Sequence, residues 1–296
     1  MSKKIYYSAL FFLLGIKIMP VVAQGGGCGT YVNAAQIALE SLVPITDGNP
    51  TQSLPQVNRT LSITVFVVKD ELGNAGISEA SILAAVSTLN QYFSPIALSF
   101  RICSPIHYID NYNFDALYPE NDVTHFNAKA LVTSNFERNT INLYLVNTLY
   151  DQNTDVNGYT YMPGSAGKNS IFLNKGSIGG STLAHQIGHF FNLYHTHEAV
   201  AFGSEKVTRG AGANCSTAGD RCCDTDADPN LNLNGVSRVN SNCIYTGTFK
   251  DSNNELYYPS AKNIMSFSND NCRCFFSHTQ YLRMVYALNH FRNNLQ

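Results

Sequence analysis

Charge is scarce in this chain. Asp, Glu, Lys and Arg make up only 14% of its 296 residues, and the formal net charge is −2. No cluster of lysines and arginines stands out, which argues against a nucleic-acid partner and against a polybasic membrane contact. The polar surface must come largely from Asn, Ser and Thr, as suits an exported protein. Internal repeats and low-complexity tracts are absent too, so nothing points to a repeat array. A membrane-spanning run is also missing: the apolar stretch 5–18 is short and is broken by Gly15 and Lys17.

That stretch follows Lys3 and Lys4 and ends at Val21, Val22 and Ala23, a small-residue cleavage site, so residues 1–23 read as a signal peptide and the protein as secreted. Residues 24–55, with Pro44, Pro50 and Pro55, read as a prosegment or linker. Without the signal peptide, residues 24–296 are enough for one large domain or two packed subdomains, and 56–296 read as the folded domain. The eight cysteines of an exported chain most economically form four disulfides, in any of 105 pairings.

Periodicity sets the architecture. In 60–68, Leu61, Ile63, Val65 and Val67 share one face and Phe66 and Val68 add apolar bulk opposite, which predicts a buried strand. A helix follows: Ser78 caps it, Glu79 suits its first turn, and Ile82, Val86, Leu89 and Phe93 form the buried stripe. Alternation at Ile96, Leu98, Phe100 and Ile102 predicts a second strand. Ile141, Leu143 and Leu145 mark a third. Residues 150–167 have little period and read as a surface loop before a short strand at 170–173. A closing helix, 278–293, places Tyr281, Met284, Val285 and Leu288 at helical spacing. The class is α/β with a twisted mixed sheet and packed helices (56–195), then an irregular C-terminal subdomain (196–296).

Residues 185–195 read H-Q-I-G-H-F-F-N-L-Y-H. His185 and His189 are four apart, so on a helix both imidazoles can face one ion. His195 is too far round to join them unless the backbone turns sharply, and Asn192, tolerant of left-handed conformation, is where it would turn. Gly179, Gly180 and Ser181 supply a loop and a cap, while Leu183, Ile187, Phe190 and Phe191 fall away from the histidine face. His197 alternates with His195 and reads as a polar neighbour of the site.

This segment resembles the metzincin zinc motif H-E-x-x-H-x-x-G-x-x-H, with Gln186 in place of the glutamate and Asn192 in place of the glycine. The resemblance implies a zincin-like fold with a backing helix and an active-site helix, and zinc on His185, His189 and His195. In that class a water completes the metal's coordination and the glutamate takes its proton. Gln186 has the same shape but cannot accept a proton near neutral pH. Asn263-Ile264-Met265-Ser266-Phe267 resembles the Met-turn, the tight turn that floors the zinc with a methionine.

The chain is most similar to the pappalysin-type metallopeptidases, through Cys28-Gly29-Thr30, the zinc helix with its 195–198 extension, Cys223-Asp224-Thr225, the Met-turn with Cys272, and 280–284. In that family a tyrosine commonly stands at the position of Phe267. The resemblance implies Cys223 bridged to Cys272 and Cys215 to Cys243, stapling the C-terminal subdomain; Cys222 and Cys274 flank the first pair, and whether they join each other is left open by their vicinal geometry. Cys28 has two readings: a prosegment cysteine that keeps the zinc site latent, or a disulfide with Cys103. Asp220, Asp224, Asp226 and Asp228 alternate as calcium ligands could, although the EF-hand glycine and terminal glutamate are missing. A solvated acidic loop is the other reading, and the family's calcium sites favour an ion. The expected partner is a polypeptide, added as a strand to the cleft rim formed by the short strand before the zinc helix.

Two functions follow. One is a secreted zinc endopeptidase in which another group, Glu198 being the nearest carboxylate in sequence, stands in for the lost base. The other is a noncatalytic protein that keeps the zinc fold to bind a polypeptide. The combined expectation is a pappalysin-type metallopeptidase homologue with zinc retained and hydrolysis impaired.

Overall fold

The apolar residues of the first predicted strand divide as their alternation requires. Leu61, Ile63, Val65 and Val67 enter one core, while Phe66 and Val68 enter a second on the other side of the sheet. These features come from a computed structural model that describes residues 27–44, 53–118, 127–151, 154–164 and 169–296. The signal-peptide residues lie outside that range. Among the described residues the strands are β1 (Gly27–Cys28), β2 (Arg59–Val68), β3 (Leu98–Ile102), β4 (His107–Ile109), β5 (Ala116–Leu117), β6 (Ile141–Val146), β7 (Thr148–Asp151), β8 (Thr154–Thr160) and β9 (Ser170–Asn174). The helices are α1 (Ala34–Glu40), α2 (Glu79–Phe93), α3 (Asn127–Ser134), α4 (Thr182–Phe190) and α5 (His278–His290).

The strand order is β3-β2-β6-β9-β8-β7-β5, with β4 also on β2 and β1 on β8. β3, β2, β6 and β9 run parallel, and β8 runs antiparallel to β9. α2 forms where expected, with Ser78 Oγ accepting from Ser81 N at 3.1 Å and Ile82, Val86, Leu89 and Phe93 buried. With α4 and α5 it covers one face of the sheet, and α3 covers the other. Ile264 and Met265 of the irregular region belong to the first core, as do Met284 and Leu288 of α5, and the Tyr281 hydroxyl donates to Tyr92 O at 2.6 Å. Both halves of the chain therefore share one hydrophobic core.

Two expectations change here. Residues 154–160 form a strand, not loop, and β9 is not the rim, since it is paired on both sides; beyond it lies β8, which takes β7 at Thr154 and Asp155 and β1 at Val156 and Gly158. Polar Asp155, Asn157 and Thr160 hide the alternation of β8, whose pairing is set by its neighbour.

The disulfides also differ. Cys215 bonds Cys223 and Cys243 bonds Cys272, while Cys28, Cys103, Cys222 and Cys274 are free. Local turns explain the exchange. Arg221 takes a left-handed φ of 61° and Thr225 N bonds Cys222 O, which folds Cys223 back until its Cα lies 5.0 Å from that of Cys215. Cys243, itself left-handed, sits in a turn held by the Asn240 carbonyl oxygens and meets Cys272 at 5.4 Å. Neither Cys28 with Cys103 nor Cys222 with Cys274 is paired. Replacing Cys243 and Cys272 together by serine opens a 29-residue loop and is expected to cost about 3–4 kcal/mol. A lowered denaturant midpoint, with a slope that steepens as the opened loop lets the unfolded chain expand, checks it.

Candidate metal centre

α4 carries His185 and His189 one turn apart, and the helix ends where Asn192 adopts φ 67°. Leu193 N then bonds back to Gly188 O at 2.9 Å, and the reversal brings His195 round to the same point. The N-terminus of α4 is served differently from expectation. Ser181 gives no side-chain cap; its hydroxyl and backbone N, with the Thr182 hydroxyl, go to Asp270 Oδ1 at 2.6, 3.0 and 3.1 Å. Asp270 is therefore a distant cap and favours the positive end of the helix.

The three rings converge. His189 Nε2 lies 3.2 Å from His185 Nε2 and 2.9 Å from His195 Nε2. His185 Nδ1 faces Ile264 O at 2.7 Å and His189 Nδ1 faces Leu193 O at 2.8 Å. A carbonyl only accepts, so each of these Nδ1 atoms carries the proton and each Nε2 presents a lone pair to its neighbours. Burial pushes His185 and His195 well down and His189 down to about 4, so the rings are neutral. Converging lone pairs repel unless a cation lies between them. Tetrahedral zinc with Zn–N of about 2.0–2.1 Å would set its ligand nitrogens about 3.3–3.4 Å apart, close to the spacing here. The donor set thus fits zinc, and carbonyl-anchored Nδ1 atoms are what orient such ligands.

The Met-turn segment lies beneath. Met265 is fully buried, and its Sδ would stand 2.5 Å from a Cβ added at Gly188, so the glycine of H-Q-I-G-H gives the methionine its place. Asn263 Oδ1 accepts from Met265 N at 2.8 Å, and its amide exchanges bonds with Gln280 of α5. The Phe267 ring packs 4.5 Å from that of His195 and 4.3 Å from that of His197. His197 stacks on His195 without joining the converging nitrogens, and burial pushes it down to about 3.

Cys28 joins the histidines. Its sulfur and the three imidazole nitrogens all lie within 4.8 Å of one another, the single such group among the described residues. β1 brings it there by pairing parallel to β8, with Cys28 opposite Gly158 and Gly29 N bonded to Gly158 O. Gln186 Oε1 accepts from Thr160 Oγ1 at 2.5 Å and Thr30 Oγ1 at 3.3 Å, and its Nε2 donates to Cys28 Sγ at 3.1 Å. Glu198 does not approach; its carboxylate accepts from Ala201 N at 3.0 Å.

Asp224, Asp226 and Asp228 line one cavity with Thr196 and Ser260, Asp220 is not among its lining residues, and three of the four carboxylates are taken by neighbouring donors. Asp224 takes Ser277 Oγ and Thr279 N at the start of α5, Asp228 takes Thr196 Oγ1 and Asn230 N, and Asp220 takes Cys222 N and Thr225 Oγ1. No calcium-like group of three converging carboxylates occurs among the described residues. Burial raises Asp220 to about 7. The folded state then keeps a proton that the unfolded chain releases near pH 4, so the contribution of Asp220 to stability falls by up to about 4 kcal/mol from pH 4 to 7. The buried histidines titrate in the opposite sense and Glu205 and Asp228 in the same one, so the effect of Asp220 is read as a difference: the thermal midpoint of wild type relative to Asp220→Asn should fall from pH 4 to 7.

A second cluster was not foreseen. Glu40, at the end of α1, is buried and receives Arg283 Nη1 and Nη2 at 2.8 and 2.9 Å and the Tyr194 hydroxyl at 2.8 Å, with Arg221 Nε 3.0 Å away. The signal was present in A-A-Q-I-A-L-E, where Gln36 and Glu40 share the face that is buried.

A mixed sheet in which β8 runs antiparallel to β9, a backing helix, and a helix that turns at its end to gather three histidines over a methionine make a metzincin-like fold. No family model matches the chain. It is 27% identical over 281 residues to an extracellular metalloprotease of Arthroderma gypseum, covering 89% of this chain and 84% of that one. In structure it is similar to mature mirolysin of Tannerella forsythia in complex with a cleaved peptide, with TM-score 0.57 and 16% identity over 82% of this chain and 97% of that one. It is also similar to a promirolysin mutant of Tannerella forsythia, with TM-score 0.56 and 15% identity, covering 88% of each.

Proposed function

We propose that the chain is a secreted zinc metalloendopeptidase homologue of pappalysin type that binds zinc through His185, His189 and His195 and hydrolyses peptides poorly. One observation carries this reading: the position beside the imidazoles where a base would act holds an amide whose oxygen is taken by two hydroxyls and whose nitrogen faces a sulfur. Zinc, when bound, would polarise a peptide carbonyl and an attacking water. His185 and His189 keep their unprotonated nitrogens turned inward through Ile264 O and Leu193 O. Gln186 can orient a water but cannot take its proton. Phe267 supplies an apolar wall where a phenol would have donated to the developing oxyanion.

Residues 24–55 are then a prosegment. Cys28 closes the site as an added ligand, and β1 occupies the β8 edge in a parallel sense. The expected partner is a polypeptide that takes that edge when β1 leaves it. The cleaved peptide held by mirolysin supports this class of partner. The noncatalytic reading, a zinc fold kept for polypeptide binding, is favoured over a substitute base by the engagement of Glu198 with Ala201.

Elemental analysis of the purified protein should give one zinc per chain, lost in His185→Ala. A Cys28→Ser variant should remain nearly inert on an unstructured protein substrate. Brisk, chelator-sensitive cleavage by that variant would overturn the impairment, and zinc-free wild type would overturn the metal.

A further inference from the structure

We propose that Gln186 has a second role, resting on the closed zinc site above: its amide nitrogen holds the Cys28 sulfur against the imidazoles, so this chain stays closed more firmly than one with glutamate there. The amide can point only one way. Thr30 Oγ1 accepts from Thr160 N at 2.9 Å, so its own proton goes to Gln186 Oε1. The Thr160 hydroxyl donates to the same oxygen. With its oxygen so occupied, the amide turns its NH₂ to Cys28 Sγ at 3.1 Å, and Thr30 N donates to that sulfur at 3.4 Å. Room for this comes from Gly158, where an added Cβ would lie 2.7 Å from Gln186 Nε2.

A cysteine serving as a metal ligand is a thiolate, and N–H bonds to such a sulfur are the outer contacts that tune ligand strength, with losses of about 10- to 100-fold when removed. Glutamate at position 186 would offer no donor and would set a carboxylate oxygen against the thiolate. Gln186 therefore turns a repulsive contact into a binding one. The rest of β1 is weakly held, since it is two residues long, so the sulfur contact matters at this end of the segment.

The test measures how fast Cys28 is alkylated in the full-length, zinc-loaded protein. Wild type is compared with Gln186→Glu, which has the same shape but no donor, and with Gln186→Leu, which has neither donor nor charge. Gln186→Asn, with an amide too short to reach, replaces the leucine variant if that one fails to fold. Iodoacetamide labelling of Cys28 is followed by mass spectrometry, with exposed Cys103 and Cys274 as internal references. Labelling of Cys28 should be about 10- to 100-fold faster in Gln186→Glu, with Gln186→Leu between it and wild type. Equal rates in all three would overturn the proposal. Cobalt in place of zinc separates the two levels: a sulfur-to-cobalt charge-transfer band present and equal in every variant sinks the role of Gln186 alone. Its absence in wild type sinks the closure by Cys28 and this proposal with it.

Discussion

A Cys28→Ser, Gln186→Glu double variant is expected to cleave an unstructured protein roughly 10²- to 10⁴-fold faster than Cys28→Ser alone, the usual contribution of a positioned base. The scaffold for that base is intact. Thr160 already donates to the Oε1 position, so a glutamate would be oriented on arrival, and the weaker contact from Thr30 Oγ1 at 3.3 Å would lower its basicity only while the N-terminal segment stays in place. The serine change is needed because the sulfur otherwise occupies the site. Initial rates of both variants at equal zinc content, with and without chelator, make the comparison. Matching rates would mean that the lost carboxylate is not what limits this protein. Adding Phe267→Tyr should raise the rate further if a donor at that place stabilises the oxyanion, since the ring already stands beside His195.

Glu40→Ala is expected to cost about 3–5 kcal/mol, because it leaves Arg283 buried with its opposite charge removed. The loss should fall mainly on the N-terminal segment. Arg283 and Tyr194 belong to the body of the domain, and Glu40 is the carboxylate that the segment brings to them. The variant should therefore show early protease cutting within residues 27–44 and faster Cys28 labelling before the domain as a whole unfolds. Undiminished protection of residues 27–44 would show that the segment is held elsewhere. Arg283→Met should recover part of the loss in the Glu40→Ala background, since it removes the stranded charge.

Much of this site can be read from sequence because it is made by short-range geometry. A four-residue spacing on a helix fixes His185 and His189, and an asparagine able to take positive φ fixes where the chain must turn for His195. Met265 needed only its neighbours and the histidines. The parts that escaped are assembled from a distance. Asp270 caps α4 from 89 residues away, and no local pattern around Ser181 announces it. β8 escapes because Asn157 and Gly158 interrupt its apolar pattern from within, and its place is fixed by pairing with β9. The disulfides escape because turns at Arg221 and Cys243 choose the partners. Gln186 is visible as a missing base in the sequence, but its bond to Cys28 exists only once β1 lies on β8.

An uncovered sheet margin is an invitation to any extended chain, including another copy of the same molecule. Gly27 and Cys28 are what deny it along Val156 and Gly158. A molecule that sheds them gains access for a guest and loses its guard together, so trimmed protein kept concentrated without peptide should stick to itself through that bare rim.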